Sequence, residues 1–199
     1  MPNWVRNELQ VRSNDEKAVE QFFRTHIVDG DFDFRTIIPI DIPLDDYFGN
    51  QVDSNVILPP AIVEMLENLA KERGKERQPV KIPQARAWNC GHWGCKWNAS
   101  NTDGYDMEIG IVRFDTPWSP PEPVIRKLVK MYPNFDFDYS YEEEQGWGGV
   151  QQYENGVLVY ENQWDIPETH EEMMFRKDYC WACESEDEEA MEEYGCPTK

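Results

Sequence analysis

The strongest constraint on the fold of this chain is the alternation of residues 135–142, which read Phe-Asp-Phe-Asp-Tyr-Ser-Tyr-Glu. Successive side chains of a β-strand point to opposite faces of the sheet. One face of this segment is therefore aromatic, and the other is polar or acidic. Such a strand fits an antiparallel sheet that has one face covered and the other face in solvent.

The N-terminal residues predict a β-α-β unit. Residues 4–12 alternate loosely and predict a strand, and Ser13 or Asn14 can cap the helix that follows. Residues 31–38 alternate again and predict a second strand. The apolar face expected for the helix consists of Val19, Phe22, Phe23 and His26.

The later part of the chain predicts further strands around one helix. Residues 88–97 hold three tryptophans and two glycines, which indicates an aromatic-lined turn that enters a strand. Residues 107–114 predict a strand, and residues 119–133 a helix that begins at Ser-Pro-Pro and ends at a proline. Asn155-Gly156 is typical of a type I′ hairpin turn.

From Lys96 onward the predicted order is β-β-α-β-β-β. Together with the opening unit, this order predicts a ferredoxin-like α+β fold with helices on one face of a mainly antiparallel sheet. Residues 1–164 are expected to form one domain, with a proline-rich and helical insertion at about residues 39–87. Residues 165–199 carry 12 acidic and three basic residues and are expected to form an acidic C-terminal extension.

The net charge of the chain limits the classes of partner that it can bind. Nineteen Lys and Arg residues stand against 39 Asp and Glu, which gives a net charge of −20. Such a surface repels nucleic acid and anionic membranes and attracts basic proteins. The alternative is that the charge only keeps the protein in solution. The chain has no apolar run of roughly 20 residues and opens without the apolar stretch of a signal peptide, so we expect it in the cytoplasm of a bacterial host.

Several motifs resemble a known family. Residues 93–97 read Trp-Gly-Cys-Lys-Trp, residues 118–121 Trp-Ser-Pro-Pro and residues 146–149 Gly-Trp-Gly-Gly. These motifs resemble the YubB-type family of phage and conjugative-plasmid proteins over roughly residues 88–164. The resemblance implies a C-terminal ferredoxin-like domain and a mobile-element origin, but no activity. Cys95 stands where the family usually has threonine.

The five cysteines are interpreted as reduced thiols, and no cofactor is expected. Cys180 and Cys183 form a C-x-x-C, and Cys196 with His170 could complete a zinc site, although a second C-x-x-C is missing. A small zinc-stabilised interaction module therefore stays open as an alternative. A redox dithiol fits less well, because the neighbouring acids would raise a thiol pKa.

No catalytic motif stands out. The chain has three histidines, no Gly-x-Ser-x-Gly elbow and no phosphate-binding glycine loop, so a non-enzymatic protein is favoured. The alternative is a small-ligand or nucleotide-binding domain, and so potentially an enzyme, that uses the tryptophan-lined turn at residues 88–97.

The acidic strand face supplies the functional hypothesis. Its carboxylates recur about every 6.7 Å, which is similar to the spacing of phosphates along a nucleic-acid strand. Such a row could occupy a basic groove, and a solvated sheet face is the alternative. We therefore expect an accessory protein that binds a basic host protein, such as an anti-CRISPR or similar counter-defence inhibitor. The expected protein-binding residues are Asp136, Asp138, Glu142, Glu143, Glu144 and Trp147.

Overall fold

The computed structural model describes residues 3–177, 180–185 and 188–197, and an antiparallel sheet of six strands forms its centre. The strands are β1 (Trp4–Arg12), β2 (Ile27–Val28), β3 (Asp31–Phe32), β4 (Gln51–Asp53), β5 (Lys81–Pro83), β6 (Ser100–Asp106), β7 (Ile111–Pro117), β8 (Asp136–Glu143), β9 (Gly148–Glu154) and β10 (Val157–Trp164). The central sheet has the order β10-β9-β8-β1-β7-β6. Strand β2 pairs with β3, and β4 with β5, in two small separate ladders.

Four strands and two helices give the ferredoxin-like topology. The helices are α1 (Glu16–His26), α2 (Leu44–Gly49), α3 (Pro60–Glu72), α4 (Gln84–His92), α5 (Glu122–Met131), α6 (His170–Lys177), α7 (Trp181–Ser185) and α8 (Glu188–Glu193). In chain order the unit is β1-α1-β6-β7-α5-β8, and its strands lie side by side as β8-β1-β7-β6. The hairpin of β9 and β10 extends the sheet beyond β8. The predicted α+β fold is therefore confirmed.

The apolar face of the sheet carries the core. Val5, Leu9 and Val11 of β1 are buried, as are Phe137 and Tyr139 of β8. They share one cluster with the buried faces of α1 and α5, which comprise Val19, Phe22, Phe23, Val124, Ile125, Leu128 and Val129. Full burial of one such side chain contributes about 1.5–3 kcal/mol. This layer therefore holds both helices on one face.

Helix α1 begins slightly later than predicted. The predicted caps were Ser13 and Asn14, but the carboxylate of Asp15 accepts hydrogen bonds from the backbone amides of Lys17 and Ala18. Ser13 Oγ instead accepts a hydrogen bond from the Asp15 amide at 3.2 Å. An aspartate cap also places a negative charge at the positive end of the helix dipole.

The predicted strand over residues 31–38 is wrong beyond its first two residues. A 3₁₀ turn follows, in which Asp33 Oδ1 accepts from the backbone amide of Arg35 at 2.9 Å. The side-chain oxygen of Asn98 accepts from the backbone amide of Phe34 at 2.9 Å. These bonds lead the chain away from the sheet. The second strand of the ferredoxin-like unit is therefore β6.

The segment between α1 and β6 spans residues 27–99 and includes the predicted insertion at about residues 39–87. Helix α3 begins at Pro60 and has no buried residue. Its apolar residues Ile62, Met65 and Leu69 are exposed. In the described chain this helix therefore gains little from tertiary packing.

Two later segments differ from their predictions. Residues 88–97 begin inside helix α4, which ends at His92, instead of forming a turn throughout. The strand predicted at residues 107–114 starts only at Ile111, because a turn with Gly110 at φ +72° precedes it. An added Cβ at Gly110 would lie 2.2 Å from the Val11 carbonyl oxygen, so glycine is required there.

The hairpin between β9 and β10 is confirmed. Asn155 and Gly156 have φ angles of +49° and +79°, as a type I′ turn demands. The acidic extension after β10 contains α6, α7 and α8 and has a small hydrophobic cluster of its own. Among the helices of the described residues, none combines the length and the apolar character needed to cross a bilayer.

Candidate functional site

The outer face of β8 carries the predicted acids, but arginines of the neighbouring strand oppose them. Asp138 forms an ion pair with Arg12 of β1, and Asp136 also raises the pKa of that guanidinium. Arg6 of β1 lies directly opposite Glu142 in the strand register. The carboxylates on this face of β8 therefore do not form an unopposed row.

The same mixed charge continues across the sheet. Arg113 of β7 donates from Nε to Glu8 Oε2 of β1 at 2.6 Å. Asp115 lies opposite Arg6, which is thus flanked by acidic residues on both neighbouring strands. Alternating acids and arginines do not present the uniform negative potential of a phosphate backbone. The centre of the sheet is therefore a poor mimic of a nucleic-acid strand.

Glu143 and Trp147 lie apart from the exposed acids of this strand. Glu143 is only 3% exposed, because it falls on the same face of β8 as the aromatic residues. Its Oε2 accepts a hydrogen bond from the Gln145 amide at 2.7 Å, which holds the turn that leads to β9. Trp147 is half-buried and packs edge-on against Tyr141. Of the six expected binding residues, Glu144 is exposed.

Exposed acids also follow the central strands, in residues 157–172, which we call the acidic segment. It contains five acidic residues and neither lysine nor arginine. Helix α6 is capped at its start within it, since Thr169 Oγ1 accepts from the Glu172 amide and Glu172 Oε2 accepts from the Glu168 amide. The exposed acids are Glu161, Asp165, Glu168, Glu171 and Glu172.

The acidic segment begins with an exposed apolar run. Strand β10 lies at the end of the central sheet, so one of its edges has no neighbour in the described sheet. Its residues Val157, Leu158, Val159 and Tyr160 are 44–61% exposed. An apolar edge strand is a ready template for pairing or docking.

The tryptophans of residues 88–97 mostly belong to the core. Trp88 is buried and donates from Nε1 to Asp41 Oδ1 at 2.8 Å. Trp93 is buried and donates from Nε1 to the Ile38 carbonyl at 3.0 Å. These rings are packed and their N–H groups are satisfied, so they do not line the ligand pocket of the alternative hypothesis.

The motif at residues 93–97 meets the motif at residues 118–121. Ser119 Oγ donates to the Gly94 carbonyl at 2.7 Å. The Lys96 ammonium lies 4.5 Å from the ring centre of Trp97 and 4.4 Å from that of Trp118, within cation–π range. Trp118 is exposed and has a φ of +67°, which is rare for a bulky residue. Sequence reasoning missed this contact between the motifs.

Three cysteines and one histidine meet in the acidic extension. One ligand atom from each of His170, Cys180, Cys183 and Cys196 lies within 4.8 Å of the others. The sulfurs of Cys180 and Cys196 are 3.6 Å apart, and Cys183 Sγ lies 3.5 Å from His170 Nδ1. The structure thus brings together the four residues that the sequence offered as possible zinc ligands.

The thiols of this group influence one another. Burial raises the pKa of Cys180, but hydrogen bonds from the backbone of Cys183, from His170 and from Cys196 lower it more, so the net shift is downward. Burial and the neighbouring sulfurs of Cys183 and Cys180 raise the pKa of Cys196. The second shift follows from the first, because a thiolate opposes the formation of another thiolate beside it.

The remaining two cysteines lie in the main domain. Cys95 is buried in the core and donates to the Trp97 carbonyl, and burial raises its pKa. Cys90 is half-buried, and burial raises its pKa as well. Neither thiol is prepared for nucleophilic chemistry, which needs a lowered pKa.

Comparison with known proteins identifies the family. No curated protein matches the chain significantly. The crystal structure of a protein api92 from Yersinia pseudotuberculosis is similar at 10% identity and a TM-score of 0.44, over 83% of this chain and 99% of that chain. A family model described as the ferredoxin-like domain in Api92-like protein matches residues 92–193, more than half of the chain. The chain therefore belongs to the family of Api92-like proteins that carry this ferredoxin-like domain.

Proposed function

We propose that this chain is a non-enzymatic accessory protein of a phage or mobile element, of the YubB type, that binds a basic host protein. It acts in the cytoplasm of the bacterial host. In its most specific form it is a counter-defence inhibitor, such as an anti-CRISPR protein, that occupies a nucleic-acid-binding surface. The acidic segment carries the contact, together with exposed Glu144.

One observation carries this proposal: an exposed apolar run is followed directly by exposed acids. Stable protein interfaces have an apolar or aromatic centre and a polar rim. Residues 157–160 supply the apolar part, and Tyr160 offers a large ring with a polar tip. Glu161 to Glu172 supply the acids. The segment thus offers both components to one partner.

The charge of the chain selects the class of partner. A net charge of −20 creates a field that draws cationic surfaces toward the protein and repels nucleic acid. Many basic surfaces in a cell are those that hold DNA or RNA. Binding there would exclude the nucleic acid, which is the physical basis of the inhibitory role.

The first test identifies the partner. The tagged full-length chain is expressed in a bacterial host, and the co-purifying proteins are identified by mass spectrometry at low and at high salt. We expect one predominant basic protein whose capture falls steeply with salt, because the association is steered by charge. Capture that is insensitive to salt would place the interaction on an apolar surface instead.

A charge variant tests the acidic segment. Simultaneous replacement of Glu161, Glu168 and Glu171 by glutamine is expected to slow association with the captured partner by about tenfold, because steering depends on local charge. Association and dissociation rates are measured by biolayer interferometry. The matched control replaces three exposed acids of α3, namely Glu64, Glu67 and Glu72, and changes the net charge equally. Equal slowing by both triple variants would refute a role for this segment in particular.

A further inference from the structure

We propose that His170, Cys180, Cys183 and Cys196 bind one structural zinc ion, which stabilises the acidic extension. This site is independent of the proposed host partner. A set of four protein ligands is the hallmark of a structural site, since a catalytic zinc keeps one position open for water or substrate. Thiolate and imidazole ligands in a tetrahedral arrangement favour zinc over magnesium or calcium.

Two distances in the cluster match the edges of a zinc tetrahedron. With zinc–sulfur bonds of about 2.3 Å and zinc–nitrogen bonds of about 2.0 Å, sulfurs lie about 3.8 Å apart and sulfur lies about 3.5 Å from nitrogen. The Cys180 and Cys196 sulfurs are separated by 3.6 Å, and Cys183 Sγ and His170 Nδ1 by 3.5 Å. A disulfide requires only about 2.05 Å. The group is therefore arranged around a shared centre.

Local backbone structure places the C-x-x-C. Cys180 directly precedes α7, and its carbonyl accepts from the Glu184 amide at 3.1 Å, as expected at a helix start. The amides of Ala182 and Cys183 point toward its sulfur. One turn of helix then brings Cys183 beside Cys180. This turn provides two adjacent ligands.

A Schellman motif places the third cysteine. Helix α8 ends at Glu193, and Gly195 adopts φ +65°. The Gly195 amide donates to the Glu192 carbonyl at 3.2 Å, and the Cys196 amide donates to the Met191 carbonyl at 2.8 Å. This pair of bonds reverses the chain after the helix. Cys196 is thereby turned back toward Cys180.

His170 completes the set from the opposite end of the extension. It is the first residue of α6, and its amide donates to the Tyr194 carbonyl at 2.7 Å. This bond joins the start of α6 to the turn after α8. The four ligands thus come from three separate parts of the extension, and a metal bound by them links all three.

In its described residues the extension has only a small core. This hydrophobic cluster comprises the buried residues Met173, Cys180, Ala182 and Ala190, separate from the main cluster. Units of fewer than about 40 residues usually need disulfides, metals or a partner to stay folded. Disulfides are rare in the bacterial cytosol. A structural metal ion is therefore the cross-link that suits a chain in the cytoplasm, the location proposed above.

Metal analysis of the full-length protein tests the site. The chain is purified without chelators from zinc-supplemented cells, and metals are quantified by inductively coupled plasma mass spectrometry. We expect close to one equivalent of zinc per chain. Cys183→Ser and Cys196→Ser are expected to lose most of it, while Cys90→Ser, a half-buried cysteine outside the cluster, keeps it.

Substitution by cobalt gives a readout that does not depend on folding assays. Co²⁺ added to the chelator-stripped protein is expected to produce thiolate charge-transfer bands and the intense visible bands of tetrahedral coordination. His170→Cys should retain one metal and shift those bands toward a four-sulfur pattern. An absence of zinc and of cobalt spectra, equal metal in the Cys183→Ser variant, or a mass lower by two hydrogens from a disulfide would each overturn the proposal.

Discussion

Replacement of Asn7 by alanine is expected to lower the free energy of unfolding by about 3 kcal/mol, because it leaves several buried polar groups without partners. Asn7 is 0% exposed at the centre of the sheet. Its Nδ2 donates to the Val5 carbonyl at 2.8 Å, to the Phe114 carbonyl at 3.2 Å and to Thr116 Oγ1 at 3.0 Å. Its Oδ1 accepts from the Tyr139 hydroxyl at 2.6 Å.

The loss is large because the surroundings cannot replace these hydrogen bonds. Tyr139 is completely buried, and burial raises its pKa well above the ordinary value. Its hydroxyl would remain without an acceptor in the variant, away from water. Thr116 already donates to the Ser119 carbonyl, so it needs an incoming donor such as Asn7.

Urea denaturation followed by circular dichroism measures this effect. Asn68→Ala serves as the control, because Asn68 is exposed on α3 and its loss should change stability by less than about 0.5 kcal/mol. Tyr139→Phe removes only one bond of the network and should cost less than Asn7→Ala. A midpoint for Asn7→Ala equal to that of the control would show that the network contributes nothing.

A second large effect is expected from pH, through His26. This residue is 0% exposed on the inner face of α1, and burial lowers its pKa from 6.5 to about 4. Thr36 Oγ1 donates to the Asp33 carbonyl, so it must accept from His26 Nδ1. Nε2 then accepts from the Tyr132 hydroxyl at 2.8 Å. Both ring nitrogens are thus satisfied in the neutral form.

The sign of the pH effect follows from these protonation states. The unfolded chain binds a proton at His26 more readily than the folded chain does, so this contribution to stability is fully present above pH 6.5. It is lost as the pH falls toward 4, by about 3 kcal/mol in total at about 1.4 kcal/mol per pKa unit. The titration of carboxylates adds a background that both proteins in a comparison share.

The comparison of the native chain with His26→Gln isolates this contribution. Free energies of unfolding are measured in urea between pH 7 and pH 4. The native chain should lose about 3 kcal/mol relative to the variant over this range. His92→Gln is the control for the replacement of a histidine, since His92 is exposed. Parallel curves for the native chain and His26→Gln would contradict a neutral, buried His26.

The sequence predicted correctly those elements whose structure is determined by neighbouring residues. The alternation of residues 135–142 and the Asn155-Gly156 turn were both confirmed, because strand period and turn chemistry are properties of neighbouring residues. The strand predicted at residues 31–38 was wrong for the opposite reason. The conformation of this segment depends partly on Asn98, which lies 64 residues beyond Phe34 in the sequence.

The sequence could not show which of the predicted binding acids are paired with arginines of distant strands. Asp138 looks like an open carboxylate in the sequence, but its partner Arg12 is 126 residues away. Glu143 continues the alternation onto the buried face, which strict counting along the strand could have shown. The cysteines and the histidine of the proposed zinc site were recognised by residue type, but no sequence spacing reveals that Gly195 turns Cys196 back to Cys180.

The position of β1 has a consequence for how the protein is made. This strand leaves the ribosome before its two neighbours β7 and β8, which end at Pro117 and Glu143. At 5–20 residues per second, the nascent chain carries an unpaired β1 for roughly 10 s. Its apolar side chains Val5, Leu9 and Val11 are open to chaperones during that time. A chain that is truncated before β8 therefore lacks one neighbour of its central strand. Such a fragment exposes apolar side chains and tends to aggregate.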